Sequence, residues 1–463
     1  MNTNTDTIPA VTVEEPAPAA PAAAVIQNPT PPKVPFELTI SADDFVAGVR
    51  WCQPVAKLKA TLPCLHSIRF TAGVGRAPGY MSATDLDNQV DYRLGSWTNH
   101  ACPEAFAISW EDIANAVGLH PVKGSILTIR GEYRKAFRSN EDKPIMIPAE
   151  CEADIHVTIE AGTVVAMKCQ AVFADDDLPP WSDPTTAALR PVSNEFLPAY
   201  RKALLCASTD ETRRVLNGVY LDIGKKKTEK EPARKAGMVA TDGRVLFHVE
   251  CKIPLKHSVI VRRDSMLSKL PDNEVEIGLI TIPATLPAKD KRYVLVAGAA
   301  VGNTSCYVSS KTIDGIYPNW VQVVPGGNLD DTRHLVFGDQ DVATLQQVCS
   351  VKHEGQARAT VQFHADGTVS CNIKPMERSG YNVPTLTLPL NQGTTYSDPP
   401  APVLPEGTPP PEKVDGVLSL DLHYLMRGLH EYGLRTLQSC SGYDPVVGKA
   451  GNFMFIVMPL RVS

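Results

Sequence analysis

Nowhere do the 463 residues contain an apolar run near the ~20 that a membrane-spanning helix needs. The first residues are polar and then Pro/Ala-rich, without the basic and apolar regions of a secretory leader. Residence in the cytosol and no membrane partner are therefore expected. Cysteine is present eleven times between Cys52 and Cys440, but never as Cys-x-x-Cys and never beside a histidine group. That excludes the usual zinc spacings and reads as reduced, mostly buried thiols. Gly-x-Ser-x-Gly, Gly-x-x-x-x-Gly-Lys and His-Glu-x-x-His are also missing, so no catalytic residue, metal or cofactor is expected. A formal net charge of -6 argues against a protein that coats nucleic acid by overall charge, though it leaves room for a local basic lining.

What is present is an ordinary globular composition, 43% hydrophobic and 21% charged, which confines disorder to local segments. Residues 1–35 are rich in Pro, Ala and Thr and cannot bury enough apolar surface to offset chain entropy, so they read as a tail. The remainder divides at 36–185, 186–326 and 327–463, with a Pro-rich insertion at 392–411. Each part reads as strand, helix, strands, helix, strands, which predicts an α+β fold of two helices on a mostly antiparallel sheet, three times over. Ser41 is placed to cap a first helix, with Asp44 answering from the N3 position, and Ser109 to cap a second. Helices are also expected over Glu195–Ala207, around Met266, Leu267 and Leu270, over Val342–Cys349, and from Leu422 to a stop at Gly433. The acidic turn Asp175-Asp176-Asp177 is better taken as solvated than as a metal site, because no histidine lies near it. The Lys-rich stretch from Gly224 to Glu231 reads as a mixed-charge hairpin tip rather than a nucleic-acid patch.

One motif occurs twice. Gly237-Met-Val-Ala-Thr241-Asp242-Gly243 echoes Tyr80-Met-Ser-Ala-Thr84-Asp85-Leu86, and each follows an alternating, strand-like run, Thr61–Phe70 and Thr212–Leu221. A Thr-Asp pair at a strand end can bond its own backbone, so a structural turn is preferred to an acid site. The final run Phe453–Met458 is expected to join the second copy.

These residues resemble one family. Asp210-Glu-Thr-Arg213-Arg214-Val-Leu216-Asn-Gly-Val219, Val239-Ala-Thr-Asp-Gly243, His257-Ser-Val-Ile-Val261, Asp314-Gly-Ile-Tyr-Pro318 and Val457-Met-Pro-Leu-Arg-Val462 stand in the order and spacing of bacterial sliding clamps, the beta subunit family of DNA polymerase III. The resemblance runs from about Phe36 to the C-terminus. It implies three similar clamp domains per chain and a head-to-tail homodimer closing a ring around double-stranded DNA, with helices lining the hole. The implied function is that of a polymerase processivity factor, not an enzyme, whose partners are the replicative DNA polymerase, the clamp loader and other proteins with clamp-binding peptides. A clamp-like decoy that binds host partners without encircling DNA is the rival expectation.

The resemblance also implies site residues. A peptide pocket between the second and third domains would comprise Leu216, Thr241, Gly243, Arg244, Val245, Leu246, Pro318, Gln322, Val323, Ile456, Val457, Met458, Pro459, Leu460 and Arg461. DNA would be faced by Arg50, Lys59, Arg201, Lys202, Arg213, Arg214 and Arg263. The dimer contact would join Lys168 and Cys169 to Val348 and Cys349. Arg244-Val245 stands where the family has His-Arg, and Gln322 where a basic residue is usual, which implies an altered polar rim and a shifted partner preference. These departures, with the tail and the insertions, suggest a divergent clamp such as a phage or plasmid would carry.

Overall fold

The computed structural model describes residues 31–58, 61–71, 79–138, 146–225, 234–282, 292–325, 332–350, 357–375, 386–398, 416–439 and 444–460. Five α-helices occur among them: α1 (Ala42–Ala56), α2 (Trp110–Gly118), α3 (Phe196–Leu204), α4 (Asp339–Ser350) and α5 (Leu422–Met426). Ser41 caps α1 by accepting from Asp44 N at 3.0 Å. The reciprocal half of the capping box is not made, because the Asp44 carboxylate accepts from Ser96 N at 2.9 Å instead. Ser109 caps α2 through Asp112 N at 3.2 Å and donates to Asp112 Oδ2 at 2.8 Å. In the middle part the expected second helix is only a 3-10 turn, Met266–Lys269, capped by Ser265. The runs at Thr61–Phe70 and Thr212–Leu221 likewise split into a 3-10 turn, Pro63–Leu65 or Glu211–Leu216, and a strand, Ser67–Thr71 or Gly218–Asp222. Pro63 at the start of one turn and the Asp210 side chain, which accepts from Thr212 N at 3.0 Å, bend the chain before the strand begins.

The described strands pair antiparallel, and the two largest sheets ignore the domain boundaries. Asn88–Arg93, which follows the first Thr-Asp turn, pairs with Thr304–Lys311 at the end of the second part, from Ser310 opposite Asn88 to Cys306 opposite Tyr92. Val245–Glu250, which follows the second turn, pairs with Phe453–Val457 at the end of the chain, from Val457 opposite Val245 to Phe453 opposite Val249. The same device is thus used twice. Besides a two-stranded ribbon, Phe137–Arg138 with Met146–Ile147, two smaller sheets lie beyond them. One holds Val34–Ser41 and ends at the edge strand Val164–Lys168; the other holds Ala357–Phe363 and ends at the edge strand Leu386–Pro389.

Alternation along each strand sends one set of side chains toward the helices. Phe247 and Phe455 lie there with Tyr432, ring centroids 5.1 and 5.0 Å from it. Burying each such ring contributes roughly 1.5–3 kcal/mol. Tyr432 follows a π-turn, Arg427–Glu431, at the end of α5, and Gly433, at φ 67°, terminates it. The Tyr432 hydroxyl donates to Lys202 O on α3 at 3.0 Å, tying the third part to the second.

On the opposite face of the first joint, Asp91 is fully buried. It accepts from Ser82 Oγ at 2.6 Å, Gln89 Nε2 at 2.7 Å and Trp181 Nε1 at 2.7 Å. Trp181 follows the acidic turn, Asp175–Asp177, which forms a 3-10 turn; no group of His, Cys, Asp or Glu that could hold a metal occurs among the described residues. Burial pushes the Asp91 carboxyl up to about 6, although the three donors and Arg69 pull it down. Its folded value therefore lies above its unfolded one, so its contribution to stability is full below about pH 4 and is lost as pH rises through about 6. Asp91→Asn should remove this loss, reducing the fall in unfolding free energy between about pH 4 and 7 by roughly 1–3 kcal/mol in urea titrations. An unchanged pH profile would show that Asp91 is not the titrating group.

Candidate functional site

Both copies of the Thr-Asp motif fold into the same turn. Thr241 Oγ1 donates to Val245 O at 2.6 Å and accepts from Gly243 N at 3.0 Å, while Asp242 Oδ1 accepts from Arg244 N and Val245 N at 2.9 and 3.0 Å. In the first copy Thr84 Oγ1 donates to Asn88 O at 2.9 Å and accepts from Leu86 N at 3.0 Å, while Asp85 Oδ1 accepts from Asp87 N and Asn88 N at 2.9 and 2.6 Å. Both turns put the third residue in the left-handed region, Gly243 at φ 90° and Leu86 at φ 76°. Both Thr hydroxyls and both Asp Oδ1 atoms act on the backbone of their own turn, which is the chemistry of a turn and not of a proton-transfer site.

The outer faces then differ. At the position of Gln89 and Asp91 in the first copy, which Trp181 bonds from above, the second copy carries Leu246 and His248. Leu246 packs with Leu216, Val239, Ile260, Tyr317, Trp320 and Ile456 in an apolar cluster, and His248 stacks on Trp320 at 4.5 Å. Burial holds the His248 imidazole below its usual value, against the pull of Glu250 and Asp222, so it sits as a neutral ring. Pro318, Gln322, Val323 and Met458 stand exposed around this cluster; Pro459 and Leu460 are half-buried. Val245 and Val457 are buried in the helix-side core instead, so only their backbone borders the outer face. Met458 N donates to Arg244 O at 2.9 Å and Leu460 N to Ser419 O at 2.8 Å, which fixes the final segment across the joint. Arg461 and Lys59 lie outside the described residues.

Arg213 belongs with this group by position. Its guanidinium donates to Asp242 O at 3.0 Å and packs over Gly243, where an added Cβ would come within 2.7 Å of it. Arg244, exposed, is the second cation beside the turn. Tyr424, at the start of α5, donates its hydroxyl to Asp242 Oδ2 at 2.8 Å. Sequence reading missed Tyr424, because the bond spans 182 positions. It also missed the Tyr317 and Trp320 cover; the alternation of Leu246 and His248 with Phe247 was the available signal.

The other candidate cations are scattered. Arg50 is exposed on α1, and Arg214 and Arg263 share a cleft with Arg262 and Asn217. Arg201 is engaged, donating to Ser268 O, Leu270 O and Asp272, and Lys202 lies over the Phe453 ring at 5.5 Å. Lys168 is exposed at the end of an edge strand and Cys169 follows it, buried; Val348 and Cys349 are half-buried on α4.

No protein-family model matches the chain. In sequence it is similar to the beta sliding clamp of Caulobacter vibrioides, 22% identical over 360 residues, or 74% of this chain and 82% of that one. In structure it is similar to the Caulobacter crescentus beta sliding clamp, with a TM-score of 0.66 and 18% identity over 92% of this chain and 99% of the other. The fold is that of a beta sliding clamp. The clamp of Bartonella birtlesii bound to griselimycin gives a TM-score of 0.63 at 19% identity, covering 93% and 100% of the two chains. The beta subunit from Streptococcus pyogenes gives 0.65 at 13%, covering 92% and 100%. At these identities the likeness is one of fold, and no described helix of the chain is long and apolar enough to cross a membrane.

Since the two clamp-fold turns are bonded alike, Thr84→Val and Thr241→Val should each cost about 1–2 kcal/mol. Chemical denaturation of the two variants checks this, and a loss confined to one of them would mean that the turns are not equivalent.

Proposed function

We propose that this chain is a DNA polymerase processivity factor: a sliding clamp that encircles duplex DNA as a head-to-tail dimer and tethers polymerase, loader and other partners by short peptides. The observation that carries the reading is the repeated joint. In the first two domains the strand after the second of three consecutive strands accepts the last long strand of the next domain. In the third domain the equivalent strand is Leu386–Pro389, and in the first domain the equivalent last strand is Val164–Lys168; both are sheet edges in the single chain. An open edge presents unpaired N–H and C=O groups on which another strand can pair. A second copy placed head to tail supplies each edge with its complement and closes a ring by the contact already used twice within the chain. Lys168 and Cys169 fall at one edge of that contact, and Val348 and Cys349 on the helix of the domain that carries the other.

Inside such a ring DNA is held by its phosphates without base readout, which allows sliding. Arg50, Lys202, Arg214 and Arg263 are the cations proposed to face it; Lys59 joins them on the strength of the family pattern alone. Arg201 is spent on its own domain, and Arg213 is assigned to the peptide pocket. That pocket is the outer-face cluster with its exposed border, where Pro318, Val323, Leu246 and Met458 offer an apolar slot to an aliphatic or aromatic anchor. No step of this function needs a catalytic group.

Light scattering should give about twice the 50.1 kDa chain mass; a stable monomer would overturn the ring and favour the decoy. Reversing Arg50, Arg214 and Arg263 together to Glu should shorten retention on nicked circular DNA by about ten-fold or more at low salt, with the dimer intact. Equal retention would remove these residues from the DNA path.

A further inference from the structure

Each joint is covered on its outer face by the segment that closes its domain, and the two covers are fastened differently. At the first joint Trp181 Nε1 donates to Asp91 at 2.7 Å, while Ser182 O accepts from Gln89 Nε2 at 2.9 Å and Pro179 O from the Arg69 guanidinium at 3.0 Å. At the second joint the main chain is last tied down at Ile313, whose N–H donates to Ile260 O at 2.9 Å. Beyond it, the main-chain bonds of Asp314–Val324 run from Trp320 N to Pro318 O, Gln322 N to Asn319 O and Val324 N to Val321 O, all inside the segment. Among the described residues, no main-chain bond joins this segment to the sheet beneath it. Two rings hold it there instead. Tyr317 stacks on Tyr220 at 4.8 Å and Trp320 on His248 at 4.5 Å, with Arg234, itself paired with Asp222, 6.0 Å from the Trp320 ring centre. Both rings are buried, and the Trp320 indole N–H has no acceptor among the described residues. The ion pair of Asp314 with Arg292, at 3.4 Å, is exposed and lies at the root of the segment.

We propose that Asp314–Val324 is a hinged strap, which lifts from the outer face of the second joint while the ladder beneath stays paired, and which a docked partner holds shut. Stacking and apolar burial fix no register along the segment. A region without main-chain bonds to its support opens at a lower free energy than the strands it covers. The indole biases the balance further, because closure strips water from an N–H and supplies no acceptor, whereas opening returns the water. Gly315 provides the hinge: it lies at φ 138°, which favours glycine, and an added Cβ would come within 2.6 Å of Val215 Cγ1. Outward the strap presents Ile316, 93% exposed, with Val321 and Val323 also exposed. A partner that covers such side chains binds the closed form and shifts the population toward it; this last step rests on the peptide-docking reading above, in which Pro318 and Val323 border the slot. Asp91 gives Trp181 the acceptor that Trp320 lacks, so the strap belongs to the second joint alone.

The test is hydrogen exchange of the tryptophan indoles in the full-length protein labelled with ¹⁵N-tryptophan, the Trp320 signal being assigned by its loss in Trp320→Phe. In low urea the Trp320 indole should exchange about a hundred-fold or more faster than global unfolding allows, at a rate that urea does not change. Exchange that rises with urea along the slope of global unfolding overturns the strap, even where a peptide binds. A short peptide carrying a Leu-Phe anchor, added at about ten times its dissociation constant, should slow the indole exchange about ten-fold. Local exchange that the peptide leaves unchanged keeps the strap and overturns docking on this face.

Discussion

The pairing of one domain's last strand with the strand after the preceding domain's Thr-Asp turn is the constraint on which the rest depends. An antiparallel ladder fixes position along the strand, because a slip of one residue would turn every side chain to the wrong face. At the second joint such a slip would send Phe247 and Phe455 outward and Leu246 and Ile456 into the helix-side core. The domains are therefore held by a sheet and not by a flexible linker. The Tyr424 hydroxyl, reaching from α5 to Asp242, and the Tyr432 hydroxyl, reaching from just past the π-turn to Lys202 O, then act on groups whose positions the ladder has already set.

The two joints show how one scaffold acquires different uses by a change on one face. Their turns share the same bonds, and their helix-side residues are apolar in both. On the outer face Asp91 and Gln89 spend their polar groups on Ser82, Trp181 and Ser182, while Leu246 and His248 leave an apolar and aromatic surface under Trp320. The first face spends its polar groups on one another; the second buries Leu246 and His248 under Trp320 and leaves Val323 and Met458 exposed at its border.

Much of this was legible in the residues themselves. Ser41, Ser109 and Gly433 mark helix ends because each does something local that few residue types can do: accept from an N–H three positions on, or occupy the left-handed region. The Thr-Asp turn was legible for the same reason. The runs at Thr61 and Thr212 misled because their alternation fits a strand while the turn chemistry at Pro63 and Asp210 acts first. The short strand Trp97–His100 and the 3-10 turn at Met266 lacked a period long enough to decide them. At the site, Leu216, Leu246 and Ile456 could be named from pattern and resemblance. The Tyr424–Asp242 bond, the Trp181 cover and the inward aim of Val245 and Val457 depend on which distant segments meet, which local spacing does not encode.

The shared sheets also set an order on synthesis. A chain emerging from its N-terminus completes the first joint only when Thr304–Lys311 has been made, and the second only when Phe453–Val457 has followed. Until then Asn88–Arg93 and Val245–Glu250 wait as open edges with half-covered apolar faces, the kind of surface on which nascent chains aggregate or recruit chaperones. Phe453–Val457 is therefore more than a peripheral strand: without it Val245–Glu250 has no partner on that side and the second joint stays open.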